Sequence, residues 1–297
     1  TQALTYPFKS IAKVITIVLV MTIAFAIFLG MILNSFDLLE YMKALQVASY
    51  YGYEFMPNLD PPSFMIIPGI IGFFAVMIVQ GFWISGYSIR VIRAAIDGFE
   101  NLPAIVFKQD LLRGFYLFLS SLLYGLVSLP FFAVLAIIIA MTASGSEAAA
   151  GLAMLSFCSS ILIAIPFAII MGWGYFVGMA RYAAEDDHGA LFQIWTNMRI
   201  ARHNWKSSLS LNFYQFLLVM IYWFLSQFVN NAVNMISAPL WGSSVTQITL
   251  LLAFLLSFML SQGLSIVQQF SNMHLIAQFA YKIGVVDTFD EEFDKIK

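Results

Sequence analysis

Charge is what this chain has least of. Only 10% of its 297 residues are Asp, Glu, Lys or Arg, whereas a soluble domain carries about 25%. So few ionic side chains leave a water-facing surface of this size uncovered, and lipid is expected to face much of it. Cysteine is almost missing as well. Cys158 stands alone, which excludes an intramolecular disulfide and a CxxC metal site. There is no HExxH, no GxSxG and no phosphate loop, so the usual signatures of a metalloprotease, a serine hydrolase or a nucleotide-binding enzyme are absent. The net charge of −2 supplies no basic footprint for nucleic acid.

What the chain has in abundance is long apolar runs. Hydrophobic residues make up 61% of it and the mean hydropathy is +0.86. A bilayer crossing needs about 20 apolar residues at 1.5 Å rise each. Six stretches meet that length, near residues 11–33, 64–87, 115–141, 151–180, 209–229 and 246–281. They are apolar all round rather than alternating, which disfavours a membrane β-barrel. The expected fold is therefore an all-α integral membrane protein of six transmembrane helices, a single polytopic domain over residues 1–297. The first run is too long for a signal-peptide core and lacks a small-x-small cleavage site, so it is expected to be retained. The sixth is too long for one straight crossing. It is expected to bend near Gly263 or to continue as an interfacial helix after Val267.

The basic residues are distributed unevenly. Lys9 and Lys13 precede the first run, and Arg90, Arg93, Lys108 and Arg113 follow the second. Arg181, Arg199, Arg202 and Lys206 follow the fourth, and Lys282, Lys295 and Lys297 end the chain; Lys43 alone falls on the other side. The positive-inside rule then places both termini in the cytoplasm of an inner membrane. All sixteen acidic residues fall in loops or tails by these boundaries, so no carboxylate marks a proton relay or voltage sensor in mid-bilayer.

Two inner segments have amphipathic patterns. Residues 88–101 place Ile89, Ile92 and Ile96 on one face, and residues 189–205 place Leu191, Ile194, Trp195 and Met198 together. Both are expected to lie as helices at the inner interface, or to pack against the bundle from below. The outer loop, residues 36–63, carries Tyr50, Tyr51, Tyr53 and Phe55, which suit an aromatic belt. A faint repeat links Trp83, Gly86 and Arg90 with Trp173, Gly178 and Arg181.

The stretch Gly86–Pro130 contains Gly86-Tyr87, Arg90, Arg93, Gly98, Leu102-Pro103, Gly114, Tyr124 and Pro130. In these elements it resembles the domain-of-unknown-function 4013 family, multi-pass proteins of bacteria and archaea. The resemblance implies a fold, a bacterial or archaeal origin, and a layout similar to the membrane anchor of some glycerophosphodiester phosphodiesterases, with no catalytic domain. That family supplies no catalytic or binding residues to carry over. On physical grounds Arg90, Arg93, Gly98, Leu102 and Pro103 form a candidate cytoplasmic corner. Its arginines would hold a helix end at anionic headgroups, while glycine and proline stop the helix. The corner is either structural or a docking site for a soluble partner.

Candidate chemistry is sparse. His274 is the only histidine near the bilayer and could ligate a cofactor from one side, although such a histidine is more often neutral and hydrogen-bonded to a neighbour. No cofactor and no metal is called for. Glu185-Asp186-Asp187-His188 reads as a solvated acidic turn, because consecutive side chains point apart. The richest polar stripe is Ser261, Ser265, Gln268, Gln269 and Asn272, at helical spacing in the sixth run. It is expected to be interhelical glue, with Gln80, Asn212, Gln215 and Gln227 as candidate partners, or else the lining of a solute path. Gly69, Gly72, Gly81, Gly172, Gly174 and Gly178 would let backbones approach. Pro68, Pro130 and Pro166 would kink helices or be tolerated. The expectation is a non-catalytic membrane subunit, not an enzyme, that scaffolds a larger, possibly energy-transducing complex. Its partners would be lipids and other membrane subunits or a second copy. The alternative is a transporter, channel or lipid-handling protein using the polar stripe.

Overall fold

The computed structural model describes residues 2–34, 66–142, 147–237 and 247–285. The outer loop with its aromatic belt and Lys43, and the tail with Lys295 and Lys297, lie outside the described residues. Every regular element among the described residues is helical. A short helix α1 (Gln2–Thr5) and a 3-10 turn (Tyr6–Ser10) lead into α2 (Ile11–Asn34). Then follow α3 (Ile66–Ile96), α4 (Phe107–Thr142) and α5 (Glu147–Glu185). Two short helices, α6 (Gly189–Phe192) and α7 (Ile194–His203), precede α8 (Trp205–Ser237) and α9 (Gln247–Lys282).

Among the described residues, four helical stretches are long and apolar enough to cross a membrane: Ala3–Ile32, Ile67–Ile96, Phe107–Val127 and Trp205–Val229. The fourth and sixth apolar runs lie on α5 and α9, which have 39 and 36 residues. Helices α3, α4, α5 and α8 outlast the apolar runs that define them. Hydropathy reports the solvent around a segment, whereas a helix ends only where a residue stops it. Three expectations change accordingly. Residues 88–96 are not a separate interfacial helix but the last turns of α3, with Ile89, Val91 and Ile92 buried in protein. Arg113 and Asp110 belong to α4 rather than to a loop. Helix α9 stays helical through Gly263, and beyond Val267 it buries Phe270, Ile276 and Ala280 in protein instead of lying at an interface.

The chain forms two compact units: Thr1–Gly81 with Leu217–Ser271, and Phe82–Phe216 with Asn272–Lys297. In the first, α2 packs on the start of α3 through Gly69 and Gly72. A Cβ at Gly72 would meet the Phe28 ring at 2.1 Å, and one at Gly69 would meet Ile32 at 3.0 Å. Phe25 stacks on Phe258 with ring centroids 3.8 Å apart. Gln80 Nε2 donates to the Met21 carbonyl at 2.9 Å, not to the polar stripe. The second unit holds the larger core, with Ile89, Ile92, Val177, Ala180, Leu191, Ala201, Ile276 and Phe279 packed together. Helix α7 seats Ile194, Asn197 and Ala201 inward, while Trp195, expected on the same face, is 69% exposed. Pro166 lies inside α5. Pro68 falls in the first turn of α3, where proline costs no hydrogen bond.

Candidate functional site

The corner after α3 is built from its sequence upward. Gly98 takes φ 75°, a left-handed conformation that costs a non-glycine residue about 1–2 kcal/mol. Gly98 N–H donates to Ala95 O, and Phe99 N–H to Ala94 O at 2.8 Å. This pair of bonds is the Schellman closure that satisfies the last carbonyls of a helix. The chain then turns through Leu102, which is buried, and Pro103, whose carbonyl accepts from Tyr87 Oη at 2.8 Å.

Helix α4 starts against α3 with no side chain between them. A Cβ at Gly86 would stand 1.6 Å from Asp110 O, and one at Gly114 would stand 1.7 Å from Phe82 O. This approach seals Asp110 completely from solvent. Its carboxylate accepts from Arg90 Nη1 at 3.2 and 3.3 Å, and from the Val106 N–H, at the start of α4, at 3.0 Å. The position near the helix N-terminus favours negative charge. The sequence reading placed Asp110 in a solvated loop; the structure makes it the buried counter-ion of the corner.

The acidic turn after α5 is not simply solvated either. Asp186, at φ 55°, bridges Arg93 and Arg113 at 3.0 Å each. Glu185 pairs with Arg181, Asp187 Oδ1 accepts from Gly189 N–H, and His188 stacks on Tyr116 at 4.6 Å. Burial pushes the Tyr182 phenol upward, and the neighbouring Arg113 cation opposes that shift. Tyr281, near the end of α9, donates to the Ile96 carbonyl. The end of α3, the start of α4, the end of α5 and the end of α9 therefore gather in one place.

The faint repeat has a structural counterpart. Gly178 of α5 abuts Asn197, whose Nδ2 a Cβ would meet at 2.8 Å, and Arg181 Nη1 donates to Asn197 Oδ1 at 3.1 Å. Asn197 is fully buried like Asp110, and its Nδ2 donates to Ala190 O and Tyr124 Oη. Both tryptophans of the repeat, Trp83 and Trp173, bury indole N–H groups that find no acceptor among the described residues. Neither Asp110 nor Asn197 stands out in the sequence: each follows a polar neighbour, Gln109 or Thr196, near a helix start.

A cleft of about 470 Å³ opens at the corner, lined among others by Arg90, Arg93, Asp97, Glu100, Gln109 and Arg113. The other sequence candidates are dispersed. In the stripe of α9, Ser265 is exposed and Ser261, Gln268, Gln269 and Asn272 are half-buried. The fully buried polar residue of that helix is Ser271, whose Oγ donates to Val267 O and lies 3.4 Å from Tyr222 Oη. Of the glycine notches, Gly174 and Gly178 meet neighbours, while Gly81 and Gly172 face nothing within 4 Å among the described residues. His274 is half-buried on α9 with both ring nitrogens out of solvent. No group of three His, Cys, Asp or Glu residues stands close enough to hold a metal among the described residues.

The described residues define a protein of long apolar helices, several of which meet at a polar end tied by ion pairs, of which Arg90–Asp110 is buried. The sequence model described as "Protein of unknown function (DUF4013)" matches residues 69–238. The chain belongs to that family. No match was found among curated proteins or among solved structures.

Proposed function

We propose that the chain is a six-span protein of the cytoplasmic membrane, with both termini cytoplasmic, and that it serves as a non-catalytic subunit organising a larger membrane complex. The topology is supported by the Arg93–Asp186–Arg113 bridge and the Tyr281–Ile96 contact. These tie together the helix ends that the charge bias assigns to the cytoplasmic side.

The observation that carries the subunit reading is the surface of α8. Of its described side chains, Ser208, Leu211, Leu218 and Tyr222 are buried, a narrow seam along one face. The rest of its circumference presents aromatic and aliphatic side chains, with Phe216, Phe224 and Phe228 exposed by 59%, 61% and 74%. Lipid covers such a face adequately, but large rigid rings are also what protein interfaces use. Purification in mild detergent tests the reading. Partner proteins are expected at fixed stoichiometry, and a photo-crosslinker replacing Phe224 is expected to capture one of them. Isolation of the chain alone, with solute flux in liposomes that Gln269→Leu with Asn272→Leu abolishes, would replace this reading with the solute path.

A further inference from the structure

The corner cleft has a volume within the range of small-ligand sites, about 300–1,000 Å³. Its charges are of both signs. Arg93 and Arg113 share the single carboxylate of Asp186, and Arg90 is matched by Asp110. These ion pairs set three guanidiniums against two carboxylates. Asp97 and Glu100, at the end of α3 and in its turn, also line the cleft. Three guanidiniums against four carboxylates give no overall attraction for a bare anion. A ligand carrying a phosphate beside an ammonium satisfies both groups, the phosphate at the Arg93–Arg113 pair and the ammonium at Asp97.

The rim of the cleft is apolar. Phe99 is 63% exposed on the turn, and Leu112 of α4 is 54% exposed one turn beyond Gln109. Leu119 continues that face two turns further along. A polar pocket opening onto an apolar track is the shape of an amphiphile with its head inside. We propose that the corner binds the zwitterionic headgroup of an aminophospholipid of the cytoplasmic leaflet, phosphatidylethanolamine in chemical class. This rests on the membrane placement proposed above, since only that placement puts the cleft at headgroup depth.

The test is native mass spectrometry of the delipidated full chain, offered equal amounts of phosphatidylethanolamine and phosphatidylglycerol with matched acyl chains. The wild type is expected to retain one phosphatidylethanolamine with a preference of about ten-fold, one well-made charged contact being worth about that. Arg93→Gln with Arg113→Gln is expected to weaken retention of both lipids by about ten-fold or more. Asp97→Asn, which disturbs none of the corner's ion pairs, is expected to keep the lipid but abolish the preference. Arg202→Gln, an exposed cation outside the cleft, is the control. Equal retention of both lipids by the wild type, or unchanged preference in Asp97→Asn, overturns the proposal. Displacement by equimolar inorganic phosphate overturns the lipid source and assigns the cleft to a soluble anion. Because the chain is tested alone, failure here leaves the subunit reading standing, and failure to find partner proteins leaves the lipid result standing.

Discussion

Gly86 and Gly114 meet backbone to backbone. A Cβ on Gly86 would lie 2.6 Å from the Gly114 nitrogen, and one on Gly114 would lie 1.7 Å from the Phe82 carbonyl oxygen. Neither helix can retreat without opening the Asp110 site between them. Gly86→Ala and Gly114→Ala are each expected to destabilise the protein by about 3 kcal/mol or more, the upper range for overpacking against an unyielding neighbour. Gly172→Ala, where a Cβ meets nothing within 4 Å among the described residues, is expected to be neutral or slightly stabilising, by up to about 1 kcal/mol from helix propensity. Thermal aggregation midpoints in detergent distinguish the three.

The Arg90–Asp110 pair is 15% and 0% exposed at its two side chains. Removing one member of such a pair leaves a buried charge uncompensated, at about 3–5 kcal/mol. Asp110→Leu is expected to fall at that level, because Arg90 and the Val106 N–H both lose their acceptor. Arg90→Met combined with Asp110→Leu is expected to recover part of the loss. A double-mutant cycle on unfolding midpoints measures the coupling, and strict additivity would mean that the pair acts as two independent groups.

Asn197 gathers Arg181, Tyr124 and the Ala190 carbonyl. Asn197→Leu leaves all three without that partner and is expected to cost about 2–3 kcal/mol, the penalty for stranded buried polar groups. Tyr124→Phe loses one bond of 3.2 Å and is expected to cost about 1 kcal/mol. The order of the two, read from denaturation in detergent, is the check.

Trp195 is 69% exposed and Phe99 is 63% exposed, each beside the gathered helix ends. In a Cys158→Ser background, Trp195→Cys and Phe99→Cys are expected to react from the same, cytoplasmic face of sealed vesicles. Labelling from opposite faces would refute the proposed topology.

The all-helical class was readable because long runs such as Ile11–Asn34 and Ile66–Ile96 contain no stretch of alternating polarity. The corner was readable at Arg90, Gly98, Leu102 and Pro103, since glycine and proline carry their backbone preferences with them. Its counter-ions were not. Asp110 lies 20 residues from Arg90, and Asp186 lies 73 residues from Arg113, and nothing local says which carboxylate a cation will find. The same reason hid Asn197 and turned the Asp186 segment from a solvated turn into a bridge. Of the residues expected to meet the α9 stripe, Gln80 donates to a backbone carbonyl, and Ser271, next to the stripe, approaches Tyr222.

Sequence by itself determined the solvent of this protein, the helical state of its chain, and the bias of its cations toward particular helix ends. Each follows from residues acting singly or with near neighbours, and so survives without coordinates. Tertiary structure alone decided that Gly86 and Gly114 are contacts while Gly81 and Gly172 are not, and that Asp110 is sealed while Asp97 lines an open cleft. Those outcomes depend on distances between segments far apart in the chain, where an ångström separates a packed helix pair from a clash.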